Sequence, residues 1–387
     1  MIKCYIYKFF PRLYSMKVLE LCLFSAGGDG VYNRVKEEAI LLSNKGNEVR
    51  IFSSNKIKGK NETSPLNEKL GNVKIQRFKT LKGIFSESFM LWPSSFKKAI
   101  LEFNPDVIIA HSYRHSHTSI GLTAAKKMGA KCFIVTHAPF DRSSSRNIFG
   151  KIVTGTYDSF IGPSILKRYN KIITISHWEE SYLKELGVSK DKIVYIPNGI
   201  NEEFFTKPTK KSQPNKIIYT GRIAPIKNLE IVSKALNLTP NNFEFEIYGP
   251  AEQDYLNKIR KDLYKYTKLS IKSFNKKEQI SALDSARFFI LPSKSEGMPQ
   301  SLIEAMARGK ICIASDNPGS ADLIQDGKNG FLFKNGDVED LSRVLNKLKS
   351  MSNNELDKVG SNAKKFAEQF KWSVLIKKLN AIISSKK

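Results

Sequence analysis

Two glutamates with seven residues between them, Glu296 and Glu304, mark the stretch of this chain best equipped for chemistry. They lie in RFFILPSKSEGMPQSLIEAMARGKICIAS, Arg287–Ser315. The apolar run Arg287–Pro292 predicts a strand buried on both faces. Ser293–Pro299 is a polar loop holding Gly297, Gln300–Arg308 a short helix stopped by Gly309, and Ile311–Ser315 a second buried strand. In a parallel sheet, ligands sit beyond the carboxyl ends of strands, where a loop feeds a helix. The first turn of that helix offers unpaired backbone N–H groups and a partial positive charge, which suits a diphosphate. The spacing puts Glu296 in the loop and Glu304 on the helix. One carboxylate then meets a ligand at the loop, and the other accepts hydrogen bonds from hydroxyls beside the helix.

Cations suited to the same ligand come earlier. Gly221 and Arg222 follow the run KIIYT, and Lys227 stands five residues after Arg222. A planar guanidinium grips two oxygens at once, and an ammonium adds a compact charge. His137 follows the strand-like run Lys131–Thr136, again at a carboxyl end. Gly27 and Gly28 belong to the turn SAGGDG, which is not the dinucleotide fingerprint G-x-G-x-x-G. His111, His115 and His117 cluster after another strand, Asp106–His111. They have no cysteine or carboxylate companions nearby in sequence and no HExxH order, so no zinc site is assigned. There is no Asp-x-Asp pair to hold a divalent cation. Charge on a departing diphosphate must then be met by fixed cations and a helix start.

EGMPQSLIEAMARG resembles the E-x7-E motif of the retaining GT-B glycosyltransferases of family GT4, and GRIAPIKN resembles their G-R-x4-K motif. The resemblance runs from about Lys17 to Trp372 and is most specific in the second half. It implies two Rossmann-like, doubly wound parallel-sheet α/β domains with the active site in an inter-domain cleft. It implies hexosyl transfer from a UDP- or GDP-sugar, with no cofactor and no metal. On this reading Arg222 and Lys227 bind the diphosphate, Glu304 accepts from the ribose hydroxyls, and Glu296 and His137 face the transferred sugar. Gly221, Gly249, Gly297, Met298 and Ser301 complete the donor contacts, and Gly27 and Gly28 approach the phosphates and the acceptor. The pattern departs at Asn317-Pro318-Gly319-Ser320, where two glycines are commoner, and at Asn201, where Asp is usual.

The elements that must position these groups follow from length and periodicity. At 387 residues the chain is too long for one comfortable core. We expect an extension over 1–15, a first domain over 16–200, a linker over 201–215, a nucleotide-sugar domain over 216–371, and a last helix over 372–387 that returns to the first domain, as the resemblance implies. Lys17–Phe24, a helix over Val31–Asn44 and Glu48–Ser53 open the first domain. Val73–Phe78, Lys171–Ile175 and Lys192–Ile196 continue its strands. Ile84–Phe103 reads as an amphipathic helix that either packs on the core or lies on a membrane. Ser176-x-x-Glu179 has the form of a capping box with a structural role only. In the second domain we expect a helix over Tyr255–Tyr266 and a weak strand over Ser270–Ser273.

The balance of 63 Lys+Arg against 37 Asp+Glu gives a net charge of +26. Such an excess favours anionic partners: lipid headgroups, nucleic acid or phosphorylated substrates. No helix-turn-helix, RNP or zinc-finger signature supports nucleic acid. The expected partners are a nucleotide sugar and a glycan or lipid-linked acceptor, with peripheral contact to an anionic membrane. Four cysteines without metal-ligand spacing read as buried residues in a reduced, cytoplasmic setting. Two readings from other classes stand beside the enzyme: a non-catalytic sugar-nucleotide binder or scaffold, and a basic nucleic-acid-binding protein.

Overall fold

The computed structural model describes residues 16–27, 30–58, 60–81, 90–139, 148–239 and 243–385. The expected extension 1–15 and Gly28 lie outside them. Among the described residues, fourteen strands build two sheets. The first eight are β1 (Lys17–Phe24), β2 (Glu48–Ser54), β3 (Asn67–Leu70), β4 (Val73–Phe78), β5 (Val107–His111), β6 (Lys131–Val135), β7 (Lys171–Thr174) and β8 (Ile193–Tyr195). They are ordered β3-β4-β2-β1-β5-β6-β7-β8. The other six are β9 (Gln213–Thr220), β10 (Glu244–Tyr248), β11 (Thr267–Ser270), β12 (Ala286–Leu291), β13 (Ile311–Ser315) and β14 (Phe331–Phe333), ordered β11-β10-β9-β12-β13-β14. Each order runs outward one way from its first long strand and then reverses. The reversals fall between β1 and β5 and between β9 and β12, the points at which such sheets bind ligands.

β1, β5 and β13 are almost wholly buried, as their unbroken apolar runs require. Contacts divide the chain into two compact units, Met1–Ile134 with Arg168–Asn170, and Val135–Lys167 with Lys171–Lys387. That division does not fall at the expected linker. Residues 201–215 are also not a free tether. Glu202–Phe205 forms a 3-10 turn with Phe204 buried, and β9 already begins at Gln213. The buried Arg308 guanidinium donates to the carbonyls of Phe204, Thr206 and Lys207 while pairing with Asp284 at 2.8 Å. Thr209 donates its N–H to the same Asp284. A sequence rich in lysine and proline is thereby fastened by one arginine more than a hundred positions away.

Other expectations shift for identifiable reasons. The helix expected over Ile84–Phe103 spans only Ser94–Phe103, because Pro93 in an extended conformation starts it. Residues 84–89 lie outside the described ones. The apolar face of this helix is used by the core: Phe96, Ile100 and Phe103 are buried, and Phe96 meets Phe78 edge-on at 5.0 Å. Of the two alternatives, core packing holds. The helix expected over Tyr255–Tyr266 spans Gln253–Arg260, and the strand after it comes three residues early, at Thr267–Ser270. Parallel pairing with Phe245–Tyr248 recruits those residues, overriding local helical spacing. β3, an antiparallel edge strand with three exposed residues, was not expected. The last helix, expected over 372–387, starts as predicted and spans Trp372–Ser384; Ile200 pairs with Lys371 just before it, and Gly199 packs against the Trp372 ring. Among the described residues no helix is long and apolar enough to cross a membrane.

Candidate active site

The second sheet reverses at β9 and β12, and the loops after these two strands carry most of the predicted residues. β9 ends at Thr220, and Gly221, Arg222 and the 3-10 turn Pro225–Lys227 follow. β12 ends at Leu291 and leads through residues 292–299 into the helix Gln300–Ala307, after which Gly309 takes φ +68°. Lys294 donates its N–H to the Ile226 carbonyl at 2.9 Å, which ties the two loops together. Lys227 Nζ and Glu296 Oε1 then lie 2.6 Å apart, with side chains 19% and 13% exposed. Two groups separated by 69 positions are thus brought into one ion pair that still opens to solvent.

Backbone crowding sets the shape of these loops. Gly249 has φ +154°, and a Cβ there would stand 1.9 Å from the Gly221 carbonyl oxygen. Gly319 presses on the other side: a Cβ would come 2.4 Å from the Glu296 carbonyl oxygen. Asn317 and Ser315 both donate to the Ser293 carbonyl, at 3.0 and 2.5 Å. The segment Asn317–Ser320, flagged for its departure from the family pattern, therefore serves as the brace behind Glu296. Its one remaining glycine is the one the close approach demands.

The other predicted residues are placed as follows. Arg222 is exposed and pairs with Glu252 at 2.8 Å, a partner not foreseen. Glu304 is half-buried on its helix and accepts from the Gln279 side chain. Desolvation raises its pKa to about 7, against the lowering effects of Gln279 and Lys276. Met298 is buried, with its sulfur 3.1 Å from the Asn198 N–H. The helix Gln300–Ala307, with Ser301 in its first turn, starts at Pro299 without a side-chain cap. Its first N–H groups are thus left to a ligand or to solvent. Three buried hydroxyls at the ends of β9 and β12 and beyond β13, on Thr220, Ser293 and Ser320, have no hydrogen-bond partner among the described residues. Orphans of this kind are uncommon and point to a water or ligand.

His137 and Ala138 follow β6 with φ +60° and +51°. Two consecutive non-glycine residues in the left-handed region cost about 1–3 kcal/mol each. Their support is Glu179, which is fully buried. One of its oxygens accepts from the Ala138 N–H at 2.9 Å and from the Thr136 hydroxyl. The other accepts from the N–H groups of Ile175 and Ser176 at 2.8 and 3.1 Å. Burial raises its pKa to about 7, and these four bonds oppose the rise. The expected capping box is thus half right. Glu179 reaches back to Ser176, but the Ser176 hydroxyl donates 2.6 Å to the Gly297 carbonyl and caps nothing. The Trp178 indole donates to that carbonyl too, at 3.1 Å. Ala138 lies against Gly297: a Cβ there would be 2.8 Å from that of Ala138. His137, Gly297, Glu296 and Lys227 are consequently parts of one assembly.

Gly27 lies in the first unit, after β1, with φ +83° and Ile57 packed over it. The histidines of that unit do have carboxylate companions, contrary to the sequence reading. His111 Nε2 is 2.8 Å from Glu20 and 3.7 Å from Glu38, and Arg34 pairs with Glu38 at 2.8 Å. All four side chains are fully buried. Burial raises the Glu20 pKa to about 8 and lowers that of His111 to about 4. Glu20, Glu38 and His111 have the makings of a metal group, yet Arg34 already supplies a cation to it. His117 donates instead to the His111 carbonyl.

The profile "Glycosyltransferase Family 4" matches residues 28–204, and "Glycosyl transferases group 1" matches residues 200–366. The chain is a family 4 glycosyltransferase. An uncharacterized glycosyltransferase of Methanocaldococcus jannaschii is 28% identical over 341 residues, covering 80% of this chain and 84% of that one. A UDP-Gal:alpha-D-GlcNAc-diphosphoundecaprenol alpha-1,3-galactosyltransferase of Escherichia coli is 28% identical over 255 residues, covering 60% of this chain and 64% of that one. The HepE protein of Anabaena in complex with UDP superposes with a TM-score of 0.76 at 17% identity, covering 96% of this chain and 100% of that one. As a family 4 glycosyltransferase with the GT-B fold, the protein carries its G-R-x4-K residues and Glu296 on the two loops joined by the Lys227–Glu296 pair, and Glu304 on the helix that follows.

Proposed function

We propose that this glycosyltransferase moves a hexosyl group from a UDP- or GDP-sugar to a hydroxyl of a glycan or lipid-linked glycan, with retained configuration and without a metal. The Lys227–Glu296 pair at the reversal of the second sheet carries this reading. An ammonium has three donors, so Lys227 can hold Glu296 and still meet a phosphate oxygen. Arg222 and the uncapped helix start add positive charge where the diphosphate departs. Glu304 accepts from the ribose hydroxyls, and Glu296 and His137 face the sugar. The acceptor oxygen bonds to the anomeric carbon as the bond to the phosphate oxygen breaks. The departing phosphate takes the acceptor proton on the same face.

The relatives favour such a donor, since one is named for a UDP-galactose reaction and another was solved with UDP. The net charge of +26 favours an acceptor held at the anionic cytoplasmic face of a membrane. A thermal-shift screen with UDP-, GDP- and ADP-sugars, with and without EDTA, tests the donor. We expect stabilisation by a UDP- or GDP-sugar that chelator leaves unchanged. Stabilisation by none of them, or only with added metal, would count against the reading. Flotation with anionic and neutral vesicles at low salt tests the membrane contact, which equal binding to both would exclude.

A further inference from the structure

We propose that Glu179, outside the motifs of this family, is a positioning residue for transfer: it holds His137 against the Glu296–Gly297 loop. The inference rests on the function proposed above and names a residue that the sequence reading left with no part in chemistry. Three observations carry it. The carboxylate is fully buried and makes four hydrogen bonds, two from each oxygen, to residues of two different loops. The loop on one side contains the consecutive left-handed residues His137 and Ala138, a conformation that must be imposed from outside. The loop on the other side sends the Ser176 hydroxyl and the Trp178 indole to a single carbonyl, that of Gly297, next to Glu296.

Gln cannot replace this group. Its amide nitrogen would face N–H donors where a carboxylate oxygen now accepts, so one loop must be released. A small displacement of a group facing the reacting sugar slows chemistry without weakening the hold on the nucleotide.

The test compares wild type, E179Q and T136V, the last removing only the hydroxyl that donates to Glu179. Steady-state turnover of the sugar nucleotide found in the thermal screen is measured beside calorimetric binding of UDP or GDP. Carbethoxylation of His137 by diethyl pyrocarbonate is followed by peptide mass spectrometry. The expected result is a kcat lower by on the order of 10- to 100-fold in E179Q, and by less in T136V. Donor KM and nucleotide affinity should stay within about twofold, and His137 should react several-fold faster. Unchanged kcat in both variants, nucleotide affinity falling in step with kcat, or an unaltered His137 rate would overturn the proposal. If E179Q does not fold, T136V decides by the same signs. A wild type that consumes no sugar nucleotide would refute the proposed function instead, and the His137 rate would still decide whether Glu179 holds that loop.

Discussion

The molecule contains two clusters of opposite charges at the reversal points of its two sheets, and they are built differently. Beside β1 and β5, Glu20, Arg34, Glu38 and His111 are sealed from solvent. Beyond β9 and β12, Lys227 and Glu296 remain partly open, and Arg222 is exposed. In the sealed cluster Arg34 offsets Glu38, while burial favours neutral Glu20 and neutral His111. Its charges are balanced within the protein. In the open cluster the cations exceed what Glu296 and Glu252 neutralise once the helix start is included. The surplus is available to an anion. Charge alone therefore does not mark a site; access and unspent polarity do.

The largest effect should come from unbalancing the sealed cluster. Arg34→Met leaves buried carboxylate unpaired and should cost about 3–5 kcal/mol, read in urea unfolding. A loss below about 1 kcal/mol would mean that the cluster is hydrated and the contrast false. Lys227→Met or Glu296→Gln should do the opposite, leaving the melting curve nearly unchanged while turnover falls on the order of 10²–10³-fold. Donor-consumption assays beside circular-dichroism melts make that comparison.

Titration sharpens the contrast further. Glu20 has its pKa raised from 4.5 to about 8, so between these values the folded state holds a proton that the unfolded state has lost. His111 has its pKa lowered from 6.5 to about 4, so between these values the unfolded state holds the extra proton. The two contributions oppose each other up to pH 6.5. Above about pH 7, where Glu179 and Glu304 have also released their protons, Glu20 is the one of these four groups still acting, and stability should fall by about 1 kcal/mol between pH 7 and 8. Glu20→Gln should flatten that part of the profile, and an unchanged slope would locate the titration elsewhere. The smallest effect belongs to the exposed pair: Glu252→Gln should change stability by about 0.2–1 kcal/mol and leave Arg222 able to bind nucleotide.

Much of the second sheet and its loops was legible in the sequence. Arg287–Ser315 alternates apolar strands with a loop and a short helix, and its observed elements lie within two residues of the expected ones. Strand, loop and helix signals are local, and the E-x7-E spacing is local too. What local reading missed is joined across long separations. Glu20 and His111 are 91 residues apart, and Arg308 reaches the linker across 104. Ser176 was given a capping role because its spacing to Glu179 fits one. Its hydroxyl is drawn instead to Gly297, which only the folded chain brings near. The edge strands β3 and β11 were missed or misplaced because half-exposed residues give no clear alternation, and pairing with a neighbour decides their bounds.

The central claim is that the donor diphosphate lies between the two loops joined by Lys227 and Glu296. A crystal structure of the protein soaked with a UDP- or GDP-sugar tests it most directly. The account predicts phosphate oxygens within hydrogen-bond distance of Lys227, Arg222 and the backbone N–H groups that follow Glu296, with no metal bridging them. Phosphates bound away from these groups, or held through a divalent cation, would contradict it.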